Sequence, residues 1–314
     1  MTSRRGIRKV GRATSALVVA VAVSGCSALD LTGAAQETVI VTETVATVTG
    51  PASAQGGVAL PDAGPGVVPG PPPSAPVGEV AAPDLETVVG SAPGTGTGTG
   101  IAVTSVGGAG AVHTAGTVQT APAWSTIKIP LAIAVARLDP QTLEGATTAI
   151  TVSDNQSAEH LWNSLGGGAT AAAAIGEILV EGGDTTSRVP SGRTRPGYSI
   201  FGQTGWALGD QARFGGRLPC LGSSARVVEL MGEVSPDQRW GLGRIPGARF
   251  KGGWGPGETG GYLVRQFGLV PGVGGDVAVA MAVDAESFEA GTAGLSAMAD
   301  ALAPQLATIA GGRC

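Results

Sequence analysis

The chain has 314 residues, 43% hydrophobic and only 14% charged, with 53 glycines and a formal net charge of −5. That length exceeds what one compact domain needs, and no apolar run reaches the roughly 18 residues a spanning helix requires. Five of the 19 basic residues (Arg4, Arg5, Arg8, Lys9 and Arg12) precede position 13, and the other 14 face 24 acidic ones, a net of −10, so nucleic acid is not an expected partner, because phosphate binding needs clustered Lys and Arg.

Residues 1–26 follow an export-signal pattern: a basic start, an apolar stretch Ala13–Val23, then Val23-Ser24-Gly25-Cys26. The last four residues resemble a bacterial lipobox, in which Cys26 becomes the lipidated first residue of the mature chain. The expectation is a protein anchored to the outer face of the cytoplasmic membrane. Ser3–Lys9 also resembles a twin-arginine signal, so the export route stays open. Residues 27–84 read as a tether, with Thr/Val alternation over Thr38–Thr49 and the tract Pro69-Gly70-Pro71-Pro72-Pro73. Such a composition buries too little apolar surface to offset the entropy of ordering.

Residues 85–314 then form the expected domain. Ile101–Val106 and Ala111–Thr117 read as strands joined through Gly107-Gly108. Ser125–Leu138 reads as a helix capped by Ser125, ended by Pro140, with an apolar face at Ile129, Ile133 and Ala136. From Ile150 to Arg213 the pattern is alanine-rich and helical, broken at Gly166–Gly168 and Gly182-Gly183. Ile245–Trp254, Gly261–Leu269 and Asp276–Asp284 read as antiparallel strands, and Thr292–Ala310 as an amphipathic helix. Strands at both ends and helices between predict an α+β fold, one antiparallel sheet flanked by helices with a helical insert. A site is expected in the groove between insert and sheet. With Cys26 assigned to lipid, Cys220 and Cys314 remain as a pair, and outside the cytoplasm such a pair is expected to form a disulfide.

Several chemistries find no support. Gly94–Gly100 precedes a strand instead of opening a helix, so it is not a dinucleotide loop. No Gly-x-Ser-x-Gly elbow occurs. The two histidines, His113 and His160, lack metal-ligand spacing with other ligand types. Neither a metal nor a cofactor is expected.

The mature chain carries 12 arginines but only two lysines, Lys128 and Lys251. Arg cannot lose its proton, whereas a desolvated Lys can. Both lysines lie in short motifs: Ser125-Thr126-Ile127-Lys128, then Lys251-Gly252-Gly253, with Ser153-Asp154-Asn155 between them. Ser125 and Lys128, three apart on a helix, share a face. A neutral lysine could take the proton that a serine must lose to become a nucleophile.

Together these motifs resemble the Ser-x-x-Lys, Ser-Asp-Asn and Lys-Thr-Gly set of class A β-lactamases and penicillin-binding proteins. The resemblance extends through Ala123–Leu131, Ser153–Trp162, Asp237–Pro256 and Gly261–Val270. It implies Ser125 as acyl-forming nucleophile, Lys128 as its base, and Ser153 as the proton donor to the departing nitrogen. Asn155 would hold Lys128 and the substrate amide, Lys251 the substrate carboxylate, and Gly253 would leave room for substrate along the strand. The backbone amides of Ser125 and Trp254 would form the oxyanion hole. The implied partner is a β-lactam or the D-alanyl stem peptide of the cell wall, met by a monomer held through its lipid; a carboxypeptidase and a weakly catalytic peptide-binding lipoprotein are the alternatives. Three departures stand out. Position 252 lacks the usual hydroxyl, the 28-residue gap from Ser125 to Ser153 implies a trimmed helical lobe, and Val189–Ile200 holds no carboxylate where a deacylating base is expected. Glu177 and Glu181 lie just before that segment.

Overall fold

The computed structural model describes residues 83–94, 98–107, 110–139, 143–257 and 260–314; the export segment, Cys26 and the tether up to residue 82 lie outside the described residues. A five-stranded antiparallel sheet has the order β2-β1-β7-β6-β5. Its strands are β1 (Gly98–Ser105), β2 (His113–Gly116), β5 (Arg249–Pro256), β6 (Tyr262–Gly272) and β7 (Gly275–Ala285). The two ends of the domain meet along β1–β7, where Gly98 pairs with Asp284 and Ser105 with Val277. β5 has one neighbour and so lies at an edge of the sheet.

Both sheet faces are covered, and β7 shows how the sequence arranges this. Side chains alternate across a strand. Ala278, Ala280 and Ala282 enter one buried cluster, while Val277, Val279, Met281 and Val283 enter the other. The small residues receive helix α6 (Leu208–Arg217), whose Gly215 comes so close that a Cβ there would lie 3.2 Å from Ala278 Cβ. The larger ones meet α8 (Phe288–Leu302). On α8 lies α1 (Leu85–Gly90), which is capped by the Asp84 carboxylate.

The helical insert contains α2 (Lys128–Leu138), α3 (Leu143–Thr151), α4 (Asn155–Ser164), α5 (Gly168–Glu181) and α7 (Ala225–Gly232). α2 starts three residues later than its pattern predicts, behind a 3-10 turn at Trp124–Ile127, and Ser125 does not cap it. Nor is α2 amphipathic. Lys128 to Ala136 are all buried, because α3, α4, α5 and α7 surround it. A short second sheet pairs β3 (Thr120–Pro122) with β4 (Gly205–Ala207). Three-residue strands have no periodicity to read, so the sequence did not disclose them. The closing helix starts and ends earlier than its pattern suggested, and a 3-10 segment follows at Ala303–Ala307.

Past that segment the chain returns to the β6–β7 turn through bridges Val273–Ala310 and Asp276–Gly312. Cys314 is disulfide-bonded to Cys220, with Cα atoms 5.3 Å apart and a sequence separation of 94. A loop of that size restricts the unfolded chain by about 4–5 kcal/mol in the chain-entropy model, an upper figure. Replacing Cys314 with Ser should therefore lower the unfolding free energy by about 2–5 kcal/mol, read from urea titrations. An unchanged midpoint would show that the bridge contributes nothing to folding.

Candidate active site

Ser125 lies in the 3-10 turn, partly exposed, between buried Trp124 and Thr126. Trp124 has φ +49°, a left-handed conformation that costs a bulky residue on the order of 1–3 kcal/mol. The surroundings hold the turn in place. Ala123 N donates to Thr204 O at 2.7 Å, and Thr126 Oγ1 donates to Ala123 O at 2.6 Å. Beneath it runs a buried relay. Gln211 Nε2 donates to Thr126 Oγ1 at 3.0 Å, and Arg265 donates to Gln211 Oε1 at 2.6 Å. Arg265 also donates to the carbonyls of Ala121, Pro122 and Trp206. It is completely buried, and burial pushes its guanidinium down to about 9.

β5 approaches this turn through glycines. A Cβ on Gly253 would lie 2.8 Å from Ala123 O and 2.9 Å from Ser125 N; one on Gly255 would lie 2.4 Å from the Trp124 indole. Close backbone packing thus accounts for Gly253, in place of the room for substrate that the motif suggested. The same packing brings the Ser125 amide beside the strand segment that carries Trp254, the two donors expected of an oxyanion hole.

The Ser153 turn meets both lysines. Asp154 is the N-cap of α4: its carboxylate accepts from Ser157 N at 2.6 Å, and the Ser157 hydroxyl first, then its backbone N–H, hold its pKa down. Capping fixes Asn155 at the first helical position, and Ser153 takes φ +59°. Lys128 Nζ then donates to Ser153 O (2.7 Å), Asp154 O (3.1 Å) and Asn155 Oδ1 (2.8 Å). From the sheet, Lys251 Nζ donates to Ser153 Oγ at 2.8 Å and to Gly252 O at 2.9 Å. Both lysines are 0% exposed. Burial pushes the Lys128 amine down to about 7, opposed by Asp154 and Glu159. Lys251 also falls well below the usual lysine range, through burial and then through repulsion from Lys128. With all three Lys128 donors engaged, accepting a proton from Ser125 requires the neutral amine and the release of one acceptor.

Buried as it is, Lys251 reaches Ser153 and not open space, so its action on a substrate passes through Ser153. Ser125, Lys128, Ser153, Asn155, Lys251, Gly253 and Trp254 converge on one place. His113 and His160 are exposed on β2 and α4.

After α5 the Asp184 carboxylate accepts from Thr186 N and Ser187 N, and the segment 189–200 beyond it is held by an amide instead. Gln203 Oε1 accepts from Thr194 N, Thr194 Oγ1 and Arg195 N, while Nε2 donates to the carbonyls of Arg195, Tyr198 and Ser199. The Arg195 guanidinium lies 5.6 Å from the Trp124 ring and 4.8 Å from that of Tyr198, and donates to Pro256 O at 3.1 Å. Glu181 is paired with Arg137 near the far end of α2, and Glu177 lines the same groove as Glu181. Neither covers Ser125. Arg265, Gln203 and Arg195 escaped sequence reading. The one available signal was Arg265-Gln266, two polar residues inside an otherwise apolar strand.

No protein-family model and no curated protein sequence matches the chain. Solved structures do. The TLA-3 extended-spectrum β-lactamase superposes with a TM-score of 0.57 at 13% identity, covering 71% of this chain and 98% of that one. A class A β-lactamase of Bacteroides cellulosilyticus gives 0.56 at 16%, covering 71% and 96%. The β-lactamase of Sphaerobacter thermophilus gives 0.54 at 19%, covering 73% and 98%. The chain has the α+β fold of these proteins: an antiparallel sheet flanked by helices.

Gly253→Ala should push the Ser125 turn away from β5, because its new methyl meets backbone on three sides. Such overpacking should lower the unfolding free energy by about 1–3 kcal/mol, read from urea titrations. An unchanged midpoint would show that the close approach is not needed.

Proposed function

We propose that the chain is an exported serine hydrolase that forms an acyl-enzyme on Ser125 with β-lactams or the D-alanyl end of cell-wall peptides. Lipidation at Cys26 would hold it as a monomer on the outer face of the membrane, with residues 27–84 as spacer. One observation carries the catalytic part. The completely buried Lys128, with its pKa lowered to about 7, stands three residues from Ser125 and is bonded to the turn whose Ser153 hydroxyl receives Lys251.

In this mechanism neutral Lys128 takes the Ser125 proton as Oγ bonds the substrate carbonyl carbon. The amides of Ser125 and Trp254 receive the developing oxyanion, an interaction worth about 2.7–4 kcal/mol per donor elsewhere. Ser153 delivers a proton to the departing nitrogen and is recharged by the proton that Lys128 took from Ser125, so Lys128 returns to its neutral form. Deacylation needs a base to activate water. Val189–Ile200 supplies arginines and hydroxyls but no carboxylate, which favours slow release, as in a penicillin-binding protein, over efficient lactam hydrolysis.

A fluorescent penicillin should label the protein at Ser125, with an adduct that persists for minutes, and Ser125→Ala should abolish labelling. Absence of any adduct would favour a peptide-binding lipoprotein, and clearance within milliseconds would reveal a base elsewhere.

The acylation rate should climb with pH and reach half its plateau near pH 7, because only neutral Lys128 accepts the proton. Lys128→Arg keeps charge but cannot accept that proton, and should lose roughly 10²–10⁴ in acylation, the range general bases contribute. A flat profile across pH 6–8 would remove Lys128 from this role.

A further inference from the structure

Helix α4 brings more to the site than its first turn. Asn155, Ala158, Glu159 and Trp162 share one face of it, since residues three and four apart are neighbours on a helix. At one end of that face Asn155 Oδ1 accepts from Lys128 Nζ at 2.8 Å. At the other end the Trp162 ring meets that of Phe201, with centroids 5.7 Å apart. Phe201 opens the short turn Phe201–Gln203, in which a Cβ on Gly202 would lie 3.6 Å from Trp124 Cα, next to Ser125. The face therefore runs from the Lys128 amine to the backbone beside Ser125, and Glu159 stands between its two ends.

Side chains on a helix lean toward its N-terminus, so the Glu159 carboxylate leans back toward Asn155 and Lys128. Its charge is felt there: burial lowers the Lys128 pKa, and the carboxylates that oppose burial are Asp154 and then Glu159. The other carboxylates named above are committed elsewhere. Asp154 caps α4, Asp184 accepts from two amides of its own loop, and Glu177 and Glu181 line another groove, where Glu181 pairs with Arg137. Glu159 has no hydrogen bond or ion pair among the described residues. It is half-buried and Asn155 is exposed, so water reaches this end of the face, while buried Trp162 closes the other.

We propose that Glu159 is the base for release of the acyl group: it orients and deprotonates the water that attacks the Ser125 ester, from α4 and not from the segment 189–200. This rests on the Ser125 acyl-enzyme proposed above. In the step, the water oxygen bonds the acyl carbon as one of its protons passes to a Glu159 oxygen. The bond from that carbon to Ser125 Oγ then breaks, and Oγ takes a proton through Lys128, which passes on the one held by Glu159. The net reaction is ester plus water to carboxylic acid plus free serine, with both bases back in their starting forms. A half-solvated carboxylate fixes a water less firmly than an enclosed one, which agrees with release over minutes.

The test follows the penicilloyl adduct on the full chain by mass spectrometry. Glu159→Gln should still form the adduct on Ser125 but release it at least about 10²-fold more slowly, the low end of what a general base contributes. Glu177→Gln should not slow release. Wild-type release should be slower in heavy water than in ordinary water, because a proton moves as the water attacks, and this measurement needs no variant. Equal adduct lifetimes in wild type and Glu159→Gln would overturn the inference and leave the acyl-enzyme reading standing. So would the same slowing in Glu177→Gln, a wild-type adduct that never clears, or release insensitive to heavy water. A Glu159→Gln variant that shifts only the pH midpoint of acylation would also overturn it, since Glu159 would then act on Lys128 alone. No Ser125 adduct in the wild type would overturn both readings.

Discussion

Two buried amines meet at one serine, and the site depends on that meeting. Lys128 enters from the helical insert and Lys251 from the sheet; one ends on the Ser153 carbonyl and the other on its hydroxyl. An ammonium loses a large hydration energy on burial, and only well-placed acceptors offset it. The Ser153 turn supplies four of them. In exchange the turn is held in a left-handed conformation that an unrestrained serine would avoid. Because each amine comes from a different part of the domain, the clamp also fixes insert against sheet beside Ser125.

The Ser125 turn is held by another device. Arg265 presents its donors to three carbonyls and one amide oxygen around Ser125, with no carboxylate among these partners. Carbonyl dipoles stabilise the cation in place of an anion, which leaves net positive potential beneath the turn. Glycines at 253 and 255 then let β5 close to backbone distance. Acyl transfer needs amide donors fixed before charge develops, since donors that must reorganise lose much of their effect. In the acyl transfer proposed for Ser125, this rigidity would serve that need.

Chemistry around this frame is uneven. The α8 side of β5 is aromatic, with Trp240 and Trp254 5.9 Å apart, while the loop near Ser125 is held by Gln203 and by Arg195 stacked on Trp124 and Tyr198. A guanidinium in that loop stabilises negative charge well and activates water poorly.

The sequence by itself determined the antiparallel sheet with strands from both ends of the domain, the pairing of Cys220 with Cys314, and the motif residues that converge. Each rests on a local or compositional signal: β alternation, two cysteines left over, lysine used at only two places in the mature chain. Tertiary structure alone decided the rest. Ser125 reads as a helix cap, yet it sits in a strained 3-10 turn, because Thr204 and the Arg265 relay hold that turn from elsewhere. Helix α2 reads as one-sided, yet it is buried all round, because four other helices close on it. Gly253 reads as space for a substrate, yet it is filled by the backbone around Ser125. The contacts of Arg265 reach residues 54 to 144 positions away, the Trp240 indole meets Trp254 and Phe288, and Gln203 binds residues four to nine positions back along a loop of no regular period. Periodicity and spacing carry no information about such contacts, since the chain meets itself there only after the sheet and the insert have packed.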